Sequence, residues 1–351
     1  MTNQPGQQTA DTSTRAAVLL VQLGTPDTPE PADVRSYLRE FLSDRRVIEL
    51  PRALWLPVLH GAVLTRRPKE SAEKYRKIWR EDGSPLTVFT RRQAEGLQEE
   101  LRKRGRLVEV AWAMRYGNPS LPQTLRNLRD KGIQRLVVLP LYPQYSGSTT
   151  GSVFDAVSRE FKRWRVVPNL RFVKDFHDDP GYIEALVDSI RQRWRHDGGE
   201  RPEKLVFSFH GLPQRYVDGG DPYDHQCRRT AALVAEALDL SDEEWLVSYQ
   251  SLFGKAEWVR PYTQPTVEAL ARQGVRHIDV ICPGFVSDCI ETLEEIDMEV
   301  HNAFMRAGGK RFRFIDCLND TPLWIHAMAD MLGNELSGWG TREIDVARGR
   351  R

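Results

Sequence analysis

The stretch Leu205-Val206-Phe207-Ser208-Phe209-His210-Gly211-Leu212-Pro213 is a short, almost wholly apolar run cut off by glycine and proline. It has the length and β-rich content of a strand buried on both faces, and the Gly and Pro stop it from continuing. Working outward, similar runs lie at 17–23, 108–113 and 136–141, then at 170–174, 246–250, 278–282 and 312–316. Each is followed by a turn-rich corner and a helical pattern, so the chain reads as repeated βα units: an α/β fold with parallel sheets in two similar halves. The run at 170–174 is grouped with the second half. The limits that follow are a tail at 1–15, a first half at 16–145 closed by a returning helix at 320–345, and a second half at 146–319.

Composition narrows the function classes. With 50 Lys and Arg against 49 Asp and Glu in 351 residues, the net charge of +1 offers no field to recruit polyanions, and nucleic acid is not an expected partner. A hydrophobic content of 40% suits globular cores, not disorder or a membrane-embedded bundle. The longest apolar stretch, 50–64, is interrupted by Pro51, Arg52, Pro57 and Gly61 and falls short of the roughly 20 residues a spanning helix needs. The polar start at 1–14 lacks a signal-peptide pattern and reads as a disordered tail, which predicts a cytoplasmic protein. Cys227, Cys282, Cys289 and Cys317 contain no C-x-x-C pair and are expected to be free thiols. Dinucleotide, P-loop and zincin motifs are absent.

In doubly wound sheets ligands bind beyond the carboxyl ends of the strands, so the residues just after each apolar run are the candidates. His210 is delivered to such a corner; a hydrogen-bonded core histidine is the competing account. After the run at 278–282, Glu291, Glu295 and Glu299 recur every fourth residue and predict a carboxylate stripe on one helical face, able to pass divalent cations. A capping box of Asp288 with Glu291, followed by a solvated acidic face, explains the same residues. Arg115 and Tyr116 end another run, where the guanidinium is free to fork onto a substrate carboxylate or to form a structural ion pair. The corner 142–151 is rich in hydroxyls and aromatics and suits a flat organic ligand or a helix cap. Leu23-Gly24 closes the first strand with a small residue that lets a ligand approach the backbone. The apolar stretch 50–59 followed by Arg66-Arg67-Pro68-Lys69 reads as a greasy lip with a basic rim, or as a helix packed on its own domain.

Taken in order, Val21-Gln22-Leu23-Gly24-Thr25-Pro26, Gly83-Ser84-Pro85-Leu86, Met114-Arg115-Tyr116, Pro140-Leu141-Tyr142-Pro143-Gln144-Tyr145-Ser146, Ser208-Phe209-His210-Gly211-Leu212-Pro213, Gln250-Ser251-Leu252-Phe253-Gly254-Lys255 and Pro283-Gly284-Phe285-Val286-Ser287-Asp288-Cys289-Ile290-Glu291-Thr292-Leu293 closely resemble the ferrochelatase family. They span nearly the whole chain and tip the balance at His210 and Glu291 toward function.

The resemblance implies two Rossmann-like halves with a porphyrin cleft between them, and insertion of Fe²⁺ into protoporphyrin IX as the terminal step of haem synthesis. By the same resemblance His210 and Glu291 are the catalytic pair, one taking protons and the other holding the metal first, with His210 read as the general base; Glu295 and Glu299 join them as metal residues and continue outward as a route for metal in or protons out. Leu23, Ser84, Arg115, Tyr116, Trp258 and Phe285 fall at porphyrin-binding positions. Fe²⁺ enters as substrate, with no resident cofactor. The first cluster cysteine of the animal relatives falls at Gly147, and Cys317 is followed by no further cysteine, so no [2Fe–2S] cluster is expected. Cysteine at 289, a histidine in those relatives, resembles Gram-negative bacterial members and puts a metal role there in doubt. Peripheral contact with the inner membrane through Leu54, Trp55 and Leu56, and contacts with other haem-pathway enzymes, complete the expected partners. A coproporphyrin ferrochelatase, a cobalt or nickel chelatase and a non-catalytic porphyrin or haem carrier are the competing readings.

Overall fold

The computed structural model describes residues 15–341 except 253 and 255. The tail expected at 1–14 and the end of the returning helix at 342–345 lie outside the described residues.

Eight strands form two parallel sheets: β1 (Ala16–Gly24), β2 (Val108–Tyr116), β3 (Arg135–Pro140) and β4 (Asn169–Phe172), then β5 (Lys204–His210), β6 (Trp245–Gln250), β7 (His277–Ile281) and β8 (Arg311–Ile315). The orders β2-β1-β3-β4 and β6-β5-β7-β8 are the same topology twice. β4 corrects the sequence reading, because it pairs with β3 in register Leu136↔Leu170 and belongs to the first sheet. The boundary at 145/146 therefore cuts off a strand of the first half: an apolar run declares a strand but not which edge receives it.

Alternation along the strands explains why the runs are continuously apolar. In β1, Ala16, Val18 and Leu20 face one core while Ala17, Leu19 and Val21 face another. The first of these cores joins the halves, since it also holds Leu205, Phe207 and Phe209 of β5, Tyr182 and Ile190 of the helix Pro180–His196, and Trp324 and Met328 of the closing helix Pro322–Glu335. The closing helix packs on the first half's helix Pro85–Lys103 at Gly96, where a Cβ would lie 3.2 Å from Ile325. It ends at Glu335, short of the 345 expected for it, and residues 336–341 are not helical.

Between β1 and β2 the chain inserts α1 (Pro31–Leu42), α2 (Arg52–Val58), α3 (Leu64–Ile78) and α4 (Pro85–Lys103). Val34 of α1 and Ala72, Tyr75 and Ile78 of α3 form a small core with Ile290 and Leu293 of the second half. The insertion thus lies across the acidic helix that follows β7.

That helix, Glu291–Val300, is π-helical, not α-helical. Its wider turn makes residues four apart fall slightly short of a full turn instead of slightly past it, so the acidic row survives with the opposite drift. A capping box does not form at its start. Asp288 is engaged instead by the Thr292 hydroxyl (3.0 Å), the Cys317 amide (3.3 Å) and the Asn319 amide group (2.7 Å).

Candidate active site

The ends of β5, β6 and β7 converge on the start of the π-helix. Gln250, the last residue of β6, ties them together: its Nε2 donates to the Glu291 carbonyl (2.7 Å) and its Oε1 accepts from Ser208 Oγ (2.6 Å). The Gly211 amide donates to the Gln250 carbonyl at 2.7 Å. Gly211 has no room for a side chain, since a Cβ would sit 2.7 Å from that carbonyl oxygen and 3.0 Å from the Trp258 ring. The indole of Trp258 thereby lies against the glycine that follows His210.

His210 is half-buried, its Nδ1 lies 2.7 Å from the Gly211 carbonyl, and its ring centroid is 6.4 Å from that of Phe285. A carbonyl only accepts, so this contact assigns the proton to Nδ1 and leaves Nε2 with its lone pair.

Glu295 is gripped by one residue. The Ser251 amide donates to its Oε1 at 2.7 Å and the Ser251 hydroxyl to its Oε2. Ser251 holds φ at +63°, an uncommon left-handed conformation for a non-glycine residue, which aims both donors at one carboxylate. Burial nevertheless raises the Glu295 pKa above the ordinary carboxylate value; the Ser251 bonds and the field of His210 oppose the shift, and the charge of Glu291 adds to it. His210, Glu291 and Glu295 therefore share one electrostatic neighbourhood.

Around Glu291 the groups are neutral. Burial lifts the Cys289 thiol well above its usual pKa and the charge of Glu291 raises it further, so the thiol stays protonated. The phenols of Tyr37 and Tyr75, also buried, are pushed well up, with Glu291 contributing to both shifts. These tyrosines of α1 and α3 bring the first half to the carboxylate. Glu299 is exposed and pairs with Lys74 at 2.8 Å, away from the Ser251–Glu295 contact. Among the described residues no three His, Cys, Asp or Glu side chains converge on one point.

The first-half corner differs from expectation. Arg115 bonds Asp44 and Ser152 (Nε to Oγ, 2.8 Å), and Tyr116 OH donates to Asp44 at 2.8 Å. The structural ion pair is the one that forms, so Arg115 presents no free fork. Burial alone would raise the Asp44 pKa; the Ser152 hydroxyl, the Arg46 amide and the Arg115 charge outweigh it and hold the carboxylate below its usual value. Tyr116 is 1% and Ser84 3% exposed, so both stand behind the surface of the site, whereas Leu23, Trp258 and Phe285 remain partly exposed. Gly24 answers the protein, not a ligand: φ is +117° and a Cβ would lie 1.7 Å from the Tyr116 carbonyl oxygen.

Gln250 and Ser251 entered the sequence reading only as part of a family motif, with no role given to either, and Tyr37 and Tyr75 were not singled out. For the first two a signal existed, because they end an apolar run as His210 does; the tyrosines read as ordinary core positions of amphipathic helices.

Comparison with known proteins places the chain among its relatives. A sequence model of the family Ferrochelatase matches residues 15–336. The chain is 52% identical over 330 residues to a ferrochelatase of Polaromonas sp. strain JS666, covering 94% of this chain and 89% of that protein. It is 54% identical over 327 residues to one of Bordetella pertussis, covering 93% and 90%. Among solved structures, SirB from Bacillus subtilis with Fe³⁺ superposes with a TM-score of 0.56 at 12% identity over 92% of this chain and 96% of that one. The sirohydrochlorin chelatase SirB from B. subtilis subspecies spizizenii in complex with cobalt gives 0.53 at 10%, over 93% and 99%. At such identities these two likenesses speak for the fold alone.

Proposed function

The chain belongs to the ferrochelatase family, and on that premise we propose that it inserts Fe²⁺ into protoporphyrin IX with release of two protons, using His210 as base and Glu291 across the macrocycle from it. Metalation needs a proton acceptor beside the ring, because two pyrrole N–H groups block the nitrogen lone pairs. The observation that carries the assignment is the His210 contact with the Gly211 carbonyl at 2.7 Å, which turns a basic Nε2 away from the backbone. The Nε2 lone pair is the acceptor for a pyrrole proton, and the nearby carboxylates stabilise the imidazolium that forms.

Glu291 keeps a protonated thiol as its neighbour, so its charge is available to the metal or to the second proton. Glu295, drawn toward the neutral form by burial and toward the charged form by Ser251, is poised to exchange a proton, and Glu299 continues the row outward as a path for Fe²⁺. Leu23, Trp258 and Phe285 are the proposed walls of the macrocycle, with Arg115, Tyr116 and Ser84 supporting them from behind. We read the protein as working without an iron–sulfur cluster: position 147 is glycine, and its amide is bound to Asp221 at 2.8 Å.

We also propose a peripheral membrane contact through the lip, by a different face from the one expected. Leu50, Leu54 and Val58, four residues apart, are exposed, Leu54 to 69%. Trp55 is buried, with Nε1 donating to the Leu42 carbonyl at 2.7 Å, and cannot serve as an anchor. No helix among the described residues is long and apolar enough to cross a membrane.

The test is an anaerobic assay of porphyrin fluorescence loss with Fe²⁺ and protoporphyrin IX, run on wild type, His210→Ala and Glu291→Gln. Rapid loss by wild type and none by the variants is expected. Wild-type protein that binds porphyrin and never metalates it would make the chain a carrier.

A further inference from the structure

Two lysines of α3 reach the π-helix. Lys77 Nζ lies 2.8 Å from Glu294 Oε1; Lys74 Nζ lies 2.8 Å from Glu294 Oε2 and 2.8 Å from Glu299 Oε1. Glu294 is 1% exposed, and the two lysines overcome its burial to hold its pKa below the usual value. One buried carboxylate balances one ammonium. Lys77 supplies that balance, so Lys74 brings a charge in excess, and that charge faces Glu299, the outermost member of the acidic row.

An ammonium on a carboxylate occupies what a divalent cation would take. A free surface lysine competes poorly because ordering its side chain is entropically costly. Lys74 is different: the buried Glu294 already orders it, and the cost is met whether or not Glu299 is also bound. We propose that Lys74 is a built-in competitor for cations at Glu299, keeping the outer end of the row from holding divalent metal tightly and so from trapping it short of His210 and Glu291. The inference rests on the reading of Glu299 as part of the metal route. It assigns Lys74 a role in metal affinity without contact to the macrocycle.

The probe is Mn²⁺, titrated into the full chain without porphyrin and followed by the EPR signal of the free ion, for wild type, Lys74→Gln, Glu299→Gln and the double variant. Lys77 still pairs with Glu294 in Lys74→Gln, which preserves the helix contact; a thermal melt checks this, and Lys74→Arg is expected to behave as wild type. Lys74→Gln should bind Mn²⁺ about fivefold more tightly, the size of a surface ion pair, and the gain should vanish in the Glu299→Gln background. Unchanged or weaker binding overturns the proposal, as does an equal gain in both backgrounds, which would be a general charge effect. The route reading fails separately: an unaltered KM for Fe²⁺ in Glu299→Gln would remove Glu299 from the path while the Mn²⁺ cycle still decides whether Lys74 competes there.

Discussion

The two halves carry the same strand order, and each places a π-helical segment after its third strand: Gly147–Gly151 after β3 and Glu291–Val300 after β7. In the first half that segment is a single turn of glycines and hydroxyls, and the charges beside it cancel internally, Asp44 against Arg115. In the second half it is twice as long, and its carboxylates face a histidine and a serine from neighbouring strand ends. On the proposed assignment, the same backbone device therefore builds a supporting wall in one copy and reactive groups in the other. What differs is which side chains stand at the corners and whether their charges find partners inside the fold.

That contrast makes graded predictions. The largest effect belongs to the reactive half: His210→Ala should lower kcat by about 10²–10⁴-fold, the contribution typical of a general base, with porphyrin still bound by fluorescence quenching. Tyr116→Phe in the first half should keep most of the activity, and an equal loss there would erase the division between wall and chemistry. Next comes Asp44→Ala, which leaves a buried guanidinium unpaired and should cost about 3–5 kcal/mol in denaturant unfolding. A near-neutral result would show that Arg115 finds another partner.

Ser251→Ala removes one of two donors to Glu295, worth about 1.5–3 kcal/mol for a bond to a charged group. The Glu295 pKa should rise further, so the acid limb of the pH–rate profile should move to higher pH. An unmoved limb would detach Glu295 from turnover. The smallest effect is a stability one. The Glu295 pKa is raised in the fold above its ordinary 4.5, so ionising it costs stability as pH rises through the folded value and costs nothing below about 4.5. Glu295→Gln should therefore raise Tm at neutral pH and lose that advantage near pH 4, and the opposite trend would contradict the direction of the shift.

Much of this was legible in the chain. The strands were, because burial on both faces leaves few polar residues in a run, and so were the corners, because the same rule that ends a strand exposes the residue after it. His210 and the acidic row were found that way. Ser251 ends its run too, but its importance lies in a backbone angle that residue type does not announce. The capping box expected at Asp288 failed for a similar reason: the local pattern was present, yet the Asp288 carboxylate is taken by Cys317 and Asn319, distant along the chain.

By itself, then, the sequence determined the α/β class, the doubled set of strands and the corner at which His210 is proposed to act, since periodicity and breaking residues act over a few positions. Only the tertiary structure decided that β4 joins the first sheet, that Trp55 turns inward, that Arg115 closes on Asp44, and that Glu294 and Glu299 meet Lys74. The lysine lies 220 and 225 residues from those carboxylates, and Arg115 lies 71 from Asp44. Charges so far apart along the chain become partners only when packing brings their elements within hydrogen-bond reach, and no local pattern records that distance.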